Sequence, residues 1–331
     1  MRIAINGFGR IGRTLLRLSL DTPDLEVVAI NDLADWEVLA HLLTYDTVAG
    51  KLSEPVALAQ DSLHVGDKTI KVTRESTPES CAWGDSDVDV VIDSTGRYTH
   101  AQKARKHLAA GAKKVVVSAP TKEADATIVY GVNHKDLKPK DRVISAASCT
   151  TNCLAPVASV LNNTFGISKG SMTTVHAYTQ DQRFLDAPHK DFRRARSAAV
   201  NMVPTSTGAA AAIGLVIPQL AGRLDGRAIR VPIPDGSMID LSVSLEKSAT
   251  IDDLKEAFIR AENEDLKDSL LTTNEPVVSS DILGCTAGSL VDLSLCKSIQ
   301  GDFASVVSWY DNETSYSSQL LRVVRHAGEI G

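Results

Sequence analysis

Long apolar runs are missing from this 331-residue chain, and only 5% of its residues are aromatic. A membrane-spanning helix needs about 20 consecutive apolar residues. No stretch approaches that length, so no membrane role is expected. The opening residues Met1-Arg2-Ile3-Ala4-Ile5-Asn6-Gly7 enter a strand-like pattern directly, without the zones of an export signal. Cysteine is scarce, with five residues at 81, 149, 153, 285 and 296 and no Cys-x-x-Cys pair. An odd number at irregular spacing speaks against a disulfide framework or a zinc site and for free thiols in a reducing compartment. The expected location is cytoplasmic, and no metal is expected. Positive charge is not in excess either: 35 basic against 41 acidic residues leave a net charge of −6. No global basic field exists to hold nucleic acid, which is not expected as a main partner. What remains is 43% hydrophobic and 23% charged, the balance of a globular protein long enough for two domains.

The first half reads as alternating strands and helices. Arg2 to Ile5 is strand-like, Gly7-Phe8-Gly9-Arg10-Ile11-Gly12 follows, and a helical pattern runs through Leu15, Leu16, Leu18 and Leu20. A second strand, Glu26 to Asn31, ends at Asp32. This is G-x-G-x-x-G with a strand before, a helix after and an acid at the end of the next strand. Gly7, Gly9 and Gly12 permit the tight turn and the close approach of a pyrophosphate, and Asp32 would accept from ribose hydroxyls. The Asp32 carboxylate would repel a 2′-phosphate, which favours NAD over NADP. Further α/β units follow: a hairpin turning at Gly66-Asp67, a strand from Asp87 to Asp93, a helix from Ala101 to Ala109 capped by Thr99, and a strand from Lys114 to Ser118. Thr95-Gly96 and Ser118-Ala119 fall at strand ends, where an open parallel sheet binds its ligand. Ordinary loop chemistry explains small residues there equally well.

The centre of the chain is Ala147-Ser148-Cys149-Thr150-Thr151-Asn152-Cys153, between a short strand, Val143 to Ser145, and a helical run, Leu154 to Leu161. A thiol at a helix N-terminus meets unpaired N–H groups and the positive end of the dipole, both of which favour thiolate. The alternative is a small buried apolar residue, but four polar neighbours are an odd setting for core. A strand-like run, Ser171 to Tyr178, carries His176 near its end. A Cys/His pair would raise the thiolate fraction and supply a base; a structural histidine is the competing reading. From Thr179 to Val203 no period is visible, which marks a functional or interface segment. Its cluster Lys190, Arg193, Arg194 and Arg196 suits a phosphate, an acidic partner or a solvated face. Thr205-Ser206-Thr207-Gly208 then precedes a helix from Ala209 to Leu220, a second anion-binding geometry. Strand patterns with a capped helix near Thr250 and a final helix from Ser315 to His326 suggest an α+β second domain.

Taken together, Ile5-Asn6-Gly7-Phe8-Gly9-Arg10-Ile11-Gly12-Arg13, Ala147 to Cys153, Val175-His176-Ala177-Tyr178-Thr179 and Trp309-Tyr310-Asp311-Asn312-Glu313 resemble phosphorylating glyceraldehyde-3-phosphate dehydrogenases over essentially the whole chain. The resemblance implies an α/β Rossmann NAD-binding domain, residues 1–148 with a C-terminal helix 313–331, and an α+β catalytic domain, 149–312, with a mainly antiparallel sheet. It implies oxidative phosphorylation of glyceraldehyde 3-phosphate with NAD and inorganic phosphate, through a thiohemiacetal and a thioester on Cys149, with His176 as base. By the same resemblance Arg10, Ile11, Asp32, Thr95, Ser118 and Asn312 fall at cofactor positions. Thr179 and Arg230 would hold the substrate phosphate, and Ser148, Thr150, Arg194, Thr207 and Gly208 the incoming one. Residues 178–201 resemble a loop that packs at a homotetramer interface. Pro234-Asp235-Gly236-Ser237 departs from the commoner Pro-Asn-Val-Ser of the family. An erythrose-4-phosphate dehydrogenase on the same scaffold, or an added binding role for the basic cluster, are the alternative readings. Cys153 reads as structural.

Overall fold

A computed structural model describes residues 1–331, which divide into two compact units. The first comprises Met1–Ile128, His134–Ala147 and Leu320–Gly331. Its elements are β1 (Arg2–Asn6), α1 (Arg10–Leu20), β2 (Glu26–Asn31), α2 (Trp36–Thr44), β3 (Tyr45–Asp46), β4 (Gly50–Lys51), β5 (Val56–Ala59), β6 (Ser62–Val65) and β7 (Lys68–Thr73). There follow β8 (Val90–Asp93), α3 (Ala101–Ala104), α4 (Lys106–Ala109), β9 (Lys114–Val117), β10 (Ala126–Thr127) and β11 (Val143–Ser145). Nine strands form one sheet in the order β10-β11-β9-β8-β1-β2-β7-β6-β5, while β3 and β4 make a separate ribbon. Strands from β10 to β7 are parallel, and β6 and β5 add an antiparallel edge through the hairpin at Gly66-Asp67.

Strands covered on both faces must be apolar along their whole length. Every residue of β8 and β9 is buried accordingly. Lys114 is accommodated because its Nζ donates to the Ala327 carbonyl at 2.9 Å. Chain order reverses at β1, whose neighbours are β2 and β8, so the ligand edge of this sheet lies at the C-terminal ends of those strands. The helix expected over 101–109 is broken at Arg105, and its N-cap is His100, not Thr99.

The second unit comprises Val129–Asn133 and Ser148–Gln319. It holds α5 (Cys149–Phe165), β12 (Ile167–Ala177), β13 (Val203–Ser206), α6 (Ala209–Val216), β14 (Leu224–Val231), β15 (Ser237–Leu245) and α7 (Ile251–Asn263). After these come β16 (Leu270–Thr273), β17 (Ser289–Asp292), β18 (Lys297–Ile299), β19 (Phe303–Tyr310) and α8 (Thr314–Glu329), the last part of which, from Leu320, counts with the first unit. The sheet order is β13-β14-β12-β15-β19-β17-β16, with β18 on β19. Most pairs are antiparallel; β12 with β14 and β16 with β17 are parallel. Burial alternates along β15, as expected for a strand with one face on the core. Helix α7 begins with a capping box in which Thr250 and Asp253 bond reciprocally. Proline 218 ends α6 early, and the chain continues as a single 3₁₀ turn, Pro218–Leu220.

Candidate active site

Of the expected cofactor residues, all but Asn312, which belongs to the second unit, lie in the first unit. Gly7 has φ +95°, and a Cβ on Gly12 would lie 2.2 Å from the Gly7 carbonyl oxygen, so neither position accepts a side chain. Gly9 is the N-cap of α1 and provides no side-chain cap, leaving the helix N-terminus to a ligand. Asp32 sits at the end of β2; its Oδ2 accepts from Phe8 N at 2.6 Å and its Oδ1 from Ala34 N at 2.8 Å. The carboxylate therefore braces the glycine turn as well as facing the sheet edge. Thr95 follows β8 and donates through Oγ1 to Asp93 at 2.9 Å, and Ser118 follows β9 with its N–H on the Asp93 carbonyl at 2.9 Å. Arg10 and Ile11 open α1. The Arg10 guanidinium is bidentate to Asp46, at 3.0 and 3.1 Å. Burial pushes the Asp46 carboxyl up, but the Arg10 bonds and the Ala49 and Val48 amides prevail and hold it at about 2.

Beneath this edge lies a buried polar chain that the sequence did not announce. Trp83 Nε1 donates to His107 Nδ1 at 3.0 Å, which leaves the proton on Nε2, 3.1 Å from Asp93 Oδ2. Asn6 Nδ2 donates to the same carboxylate oxygen at 2.8 Å, and Asn31 Nδ2 donates to Asn6 Oδ1 at 2.8 Å. The ends of β1, β2 and β8 are thus tied together below the glycine turn. The turn, the open helix start and the acid at the end of β2 fit a dinucleotide.

In the second unit Cys149 is the first residue of α5, capped by Ser148, whose Oγ accepts from Thr151 N at 3.1 Å. His176 lies near the end of β12, and its Nε2 is 3.4 Å from Cys149 Sγ. Parallel pairing of β12 with β14 sets His176 beside Arg230 in register. Two partners compete for His176 Nδ1: the Ala177 carbonyl at 2.7 Å and Arg230 Nη1 at 2.8 Å. A proton on Nδ1, given to Ala177, leaves the Nε2 lone pair facing the thiol, which is the tautomer of a base. Arg230 Nη1 favours the other tautomer for as long as it points at the ring.

Charge follows the same geometry. Burial pushes the Cys149 thiol up, opposed first by the Arg230 charge and then by the Thr150 amide. Burial, and after it Arg230, pushes His176 down to about 3. With no anion on Arg230 the imidazole is neutral, so a preformed thiolate–imidazolium pair is not the favoured resting state. Burial pushes Cys153 up to about 12, and its thiol lies among Ser289 and the Ser308 and Trp309 carbonyls, an inert structural position.

The expected phosphate residues form a second set of contacts. Arg194 is ion-paired with Asp181, and its Nη2 reaches the Ser206 carbonyl at 3.3 Å, just before Thr207 and Gly208 at the start of α6. Thr207 Oγ1 accepts from Ala209 N at 3.2 Å. The charge of Arg194 acts on Arg230, so two cations face one region. Thr179 lies two residues beyond β12 and is half-buried. Thr150 differs from expectation. Its side chain is buried and its hydroxyl is 2.9 Å from Tyr310 Oη, while both its backbone amide and its hydroxyl act on the Cys149 thiol.

Tyr310 is the residue that sequence reading passed over. Its hydroxyl bridges Thr150 and Thr174, at 2.9 and 2.8 Å, and its ring meets His176 edge-on at 5.8 Å. It fixes the faces of α5 and β12 that carry the thiol and the imidazole. Asn312, two residues on, accepts from Ser237 Oγ through Oδ1 at 2.6 Å. That bond turns its Nδ2 donor away from Ser237.

A family model described as glyceraldehyde 3-phosphate dehydrogenase, NAD binding domain, matches residues 1–101, and one described as the C-terminal domain of the same enzyme matches residues 148–312. The chain belongs to the glyceraldehyde-3-phosphate dehydrogenase family. It is 51% identical to a glyceraldehyde-3-phosphate dehydrogenase of Geobacillus stearothermophilus over 332 aligned residues, covering 100% of this chain and 99% of the relative. A namesake from Streptomyces coelicolor is 52% identical, with 99% of this chain and 98% of the relative covered. Another from Mycolicibacterium smegmatis is 52% identical, with 99% of each covered. The enzyme is an NAD-dependent oxidoreductase with a Rossmann domain and a catalytic domain built on a mixed, mainly antiparallel sheet. None of its helices is long and apolar enough to cross a membrane.

Proposed function

We propose that the enzyme converts glyceraldehyde 3-phosphate, NAD and inorganic phosphate into 1,3-bisphosphoglycerate and NADH. The observation that carries this reading is the 3.4 Å contact of Cys149 Sγ with His176 Nε2 at a helix start, next to Arg230. Gly7, Gly9, Arg10, Ile11, Gly12, Asp32, Thr95, Ser118 and Asn312 would hold the cofactor, Asn312 through its carboxamide. NAD supplies the hydride acceptor.

The Cys149 sulfur adds to the aldehyde carbon, and the carbonyl oxygen becomes the hydroxyl of a thiohemiacetal. His176 Nε2 takes that hydroxyl proton as hydride leaves the carbon, which yields a thioester. Phosphate then attacks the thioester carbonyl, the acyl–oxygen bond forms and the carbon–sulfur bond breaks. Arg230 and Thr179 hold the substrate phosphate. An anion there offsets the guanidinium charge and draws it from Nδ1, so substrate makes His176 a stronger base. Ser148, Arg194, Thr207 and Gly208, together with Thr150, serve the attacking phosphate. The ion pair of Arg194 with Asp181 keeps that guanidinium oriented.

Measuring NADH formation from glyceraldehyde 3-phosphate with and without phosphate tests the proposal, and erythrose 4-phosphate is the control sugar. Sustained turnover is expected to require phosphate or arsenate. Rates indifferent to both would assign the chain to the hydrolytic, erythrose-4-phosphate type.

Asp32→Ala is expected to lower the ratio of kcat/KM for NAD to that for NADP by about fivefold or more, the loss of one charge repulsion near a solvated surface. Weaker NAD binding accompanies it, because the variant also frees Phe8 N. An unchanged ratio would remove Asp32 from cofactor selection.

A cytoplasmic homotetramer is the expected assembly. The segment that resembles an interface loop exposes Phe184, Leu185, Phe192 and Val200, at 68%, 72%, 88% and 77%, an apolar surface that a second copy would cover.

A further inference from the structure

The turn between β14 and β15 buries a carboxyl group that the reaction above does not use. Asp235 is 4% exposed and Asp311, just after β19, is 1% exposed. Asp311 accepts three backbone N–H bonds: Glu313 and Thr314 on Oδ1, at 2.9 and 2.6 Å, and Gly284 on Oδ2 at 2.8 Å. Three amide donors stabilise an ionised carboxylate. Asp235 is placed differently. Its Oδ1 accepts from Gly236 N at 2.8 Å and Asn312 N at 3.1 Å, but its buried Oδ2 has no hydrogen-bond partner. A bare carboxylate oxygen beside a second buried carboxylate is unfavourable, whereas a proton on it creates a donor.

We propose that Asp235 carries a proton shared with Asp311, and that in this form it is a positioning residue that holds Asn312 ready for the cofactor. The inference rests on the reading that Asn312 meets the nicotinamide carboxamide. The turn grips Asn312 twice: Asp235 Oδ1 takes its backbone N–H, and Ser237 Oγ, 3.1 Å from Ala177 N, donates to its side-chain oxygen. When Asp235 ionises, two carboxylates oppose each other across this grip and Asn312 loses its register.

The charged groups that bear on Asp235 are Asp311 and Glu313, both just before α8, and Asp235 in turn pushes up the Cys149 thiol at the start of α5. The 279–284 segment contributes Ser279, whose carbonyl and Cβ lie against Gly236, and the Gly284 amide on Asp311. Burial first, and Asp311 next, push Asp235 up to about 8. The proton is therefore held below that value and lost above it, and cofactor binding should weaken as pH rises.

The experiment measures NAD dissociation constants on the intact enzyme between pH 6.5 and 9.5 for the wild type, Asp235→Asn and Asn312→Ala. The infrared carbonyl stretch of a protonated carboxyl group is followed on the same samples. For the wild type, affinity is expected to fall about fivefold across the range with a midpoint near pH 8, the equivalent of one hydrogen bond. Asp235→Asn, whose amide supplies the donor at every pH, should bind like the low-pH wild type throughout and lack the infrared band. An identical alkaline weakening in Asp235→Asn would overturn the proposal. So would a wild type without a protonated-carboxyl band that disappears on raising the pH, a result that depends on no variant folding. Asn312→Ala tests the underlying reading separately: it should keep the band yet bind NAD about fivefold more weakly at pH 7. Unaltered NAD binding in Asn312→Ala would remove that residue from the cofactor site whatever Asp235 does.

Discussion

Cys149→Ser is expected to reduce turnover by about 10⁴-fold or more, the scale seen when a covalent nucleophile is removed. The reason is local. At position 149 the helix start, the Arg230 charge and the Thr150 amide all favour an anion, against the burial that pushes the thiol up. A serine hydroxyl is too weak an acid for the same surroundings to ionise, and its ester would be a poorer acyl donor to phosphate than a thioester. Little else should change. The polar contacts of the Cys149 side chain, to His176 and Thr150, are ones a serine hydroxyl can also make, so NAD affinity and Tm should stay near wild-type values. Alkylation supplies an independent reading. Cys81 and Cys153 are buried and pushed up to about 12, and Cys296 to about 11. Half-buried Cys285 is the other thiol open to iodoacetamide, so inactivation through Cys149 is expected to be the part of the alkylation that the serine variant loses. Appreciable turnover in Cys149→Ser, with the protein folded and binding NAD, would rule out the covalent route.

The dinucleotide edge was legible because each of its requirements leaves a local mark. A positive φ at Gly7 and the absence of room for a Cβ on Gly12 demand glycine, and Asp32 follows from the end of the second strand. The thiol was legible for a related reason, since a helix start with capping hydroxyls is written in consecutive residues. What could not be read were contacts set by sheet register. His176 meets Arg230 because β12 and β14 run parallel in a particular alignment, and no spacing along the chain encodes that. Tyr310 and Thr150 are 160 positions apart and share a hydrogen bond. Thr150 was expected as a phosphate ligand from the family resemblance, and its buried hydroxyl meets Tyr310. Asp235 was visible only as an unusual turn residue; its meaning comes from Asp311, which β19 brings alongside Ser237 through the pairing of Ser237 with Tyr310.

Protonation of the catalytic pair is also a property of packing. The sequence suggests an ion pair, yet burial of His176 and the adjacent guanidinium favour neutral imidazole until an anion arrives. In the proposed mechanism substrate phosphate and base strength are linked through one residue, Arg230, which touches both His176 Nδ1 and the Ala177 carbonyl.

His176→Asn should accordingly slow hydride transfer by about 10²- to 10⁴-fold, the range of a lost general base. The asparagine amide can still approach Cys149 and the Ala177 carbonyl, but no nitrogen remains to take the thiohemiacetal proton. The pH dependence distinguishes this from a loss of shape. In the wild type His176 acts when neutral, and since burial and Arg230 push it down to about 3, it stays neutral across the working range before substrate binds. With substrate phosphate on Arg230 its value climbs, and an acidic limb appears in the pH profile of kcat. In His176→Asn that limb should vanish. The residual rate should climb with pH instead, because only ionisation of the buried Cys149 thiol, itself pushed up, still limits the reaction. Alkylation of Cys149 should show the same alkaline rise. A variant that retained the wild-type pH profile at a uniformly lower rate would mean that His176 supports the geometry of the site without handling the proton.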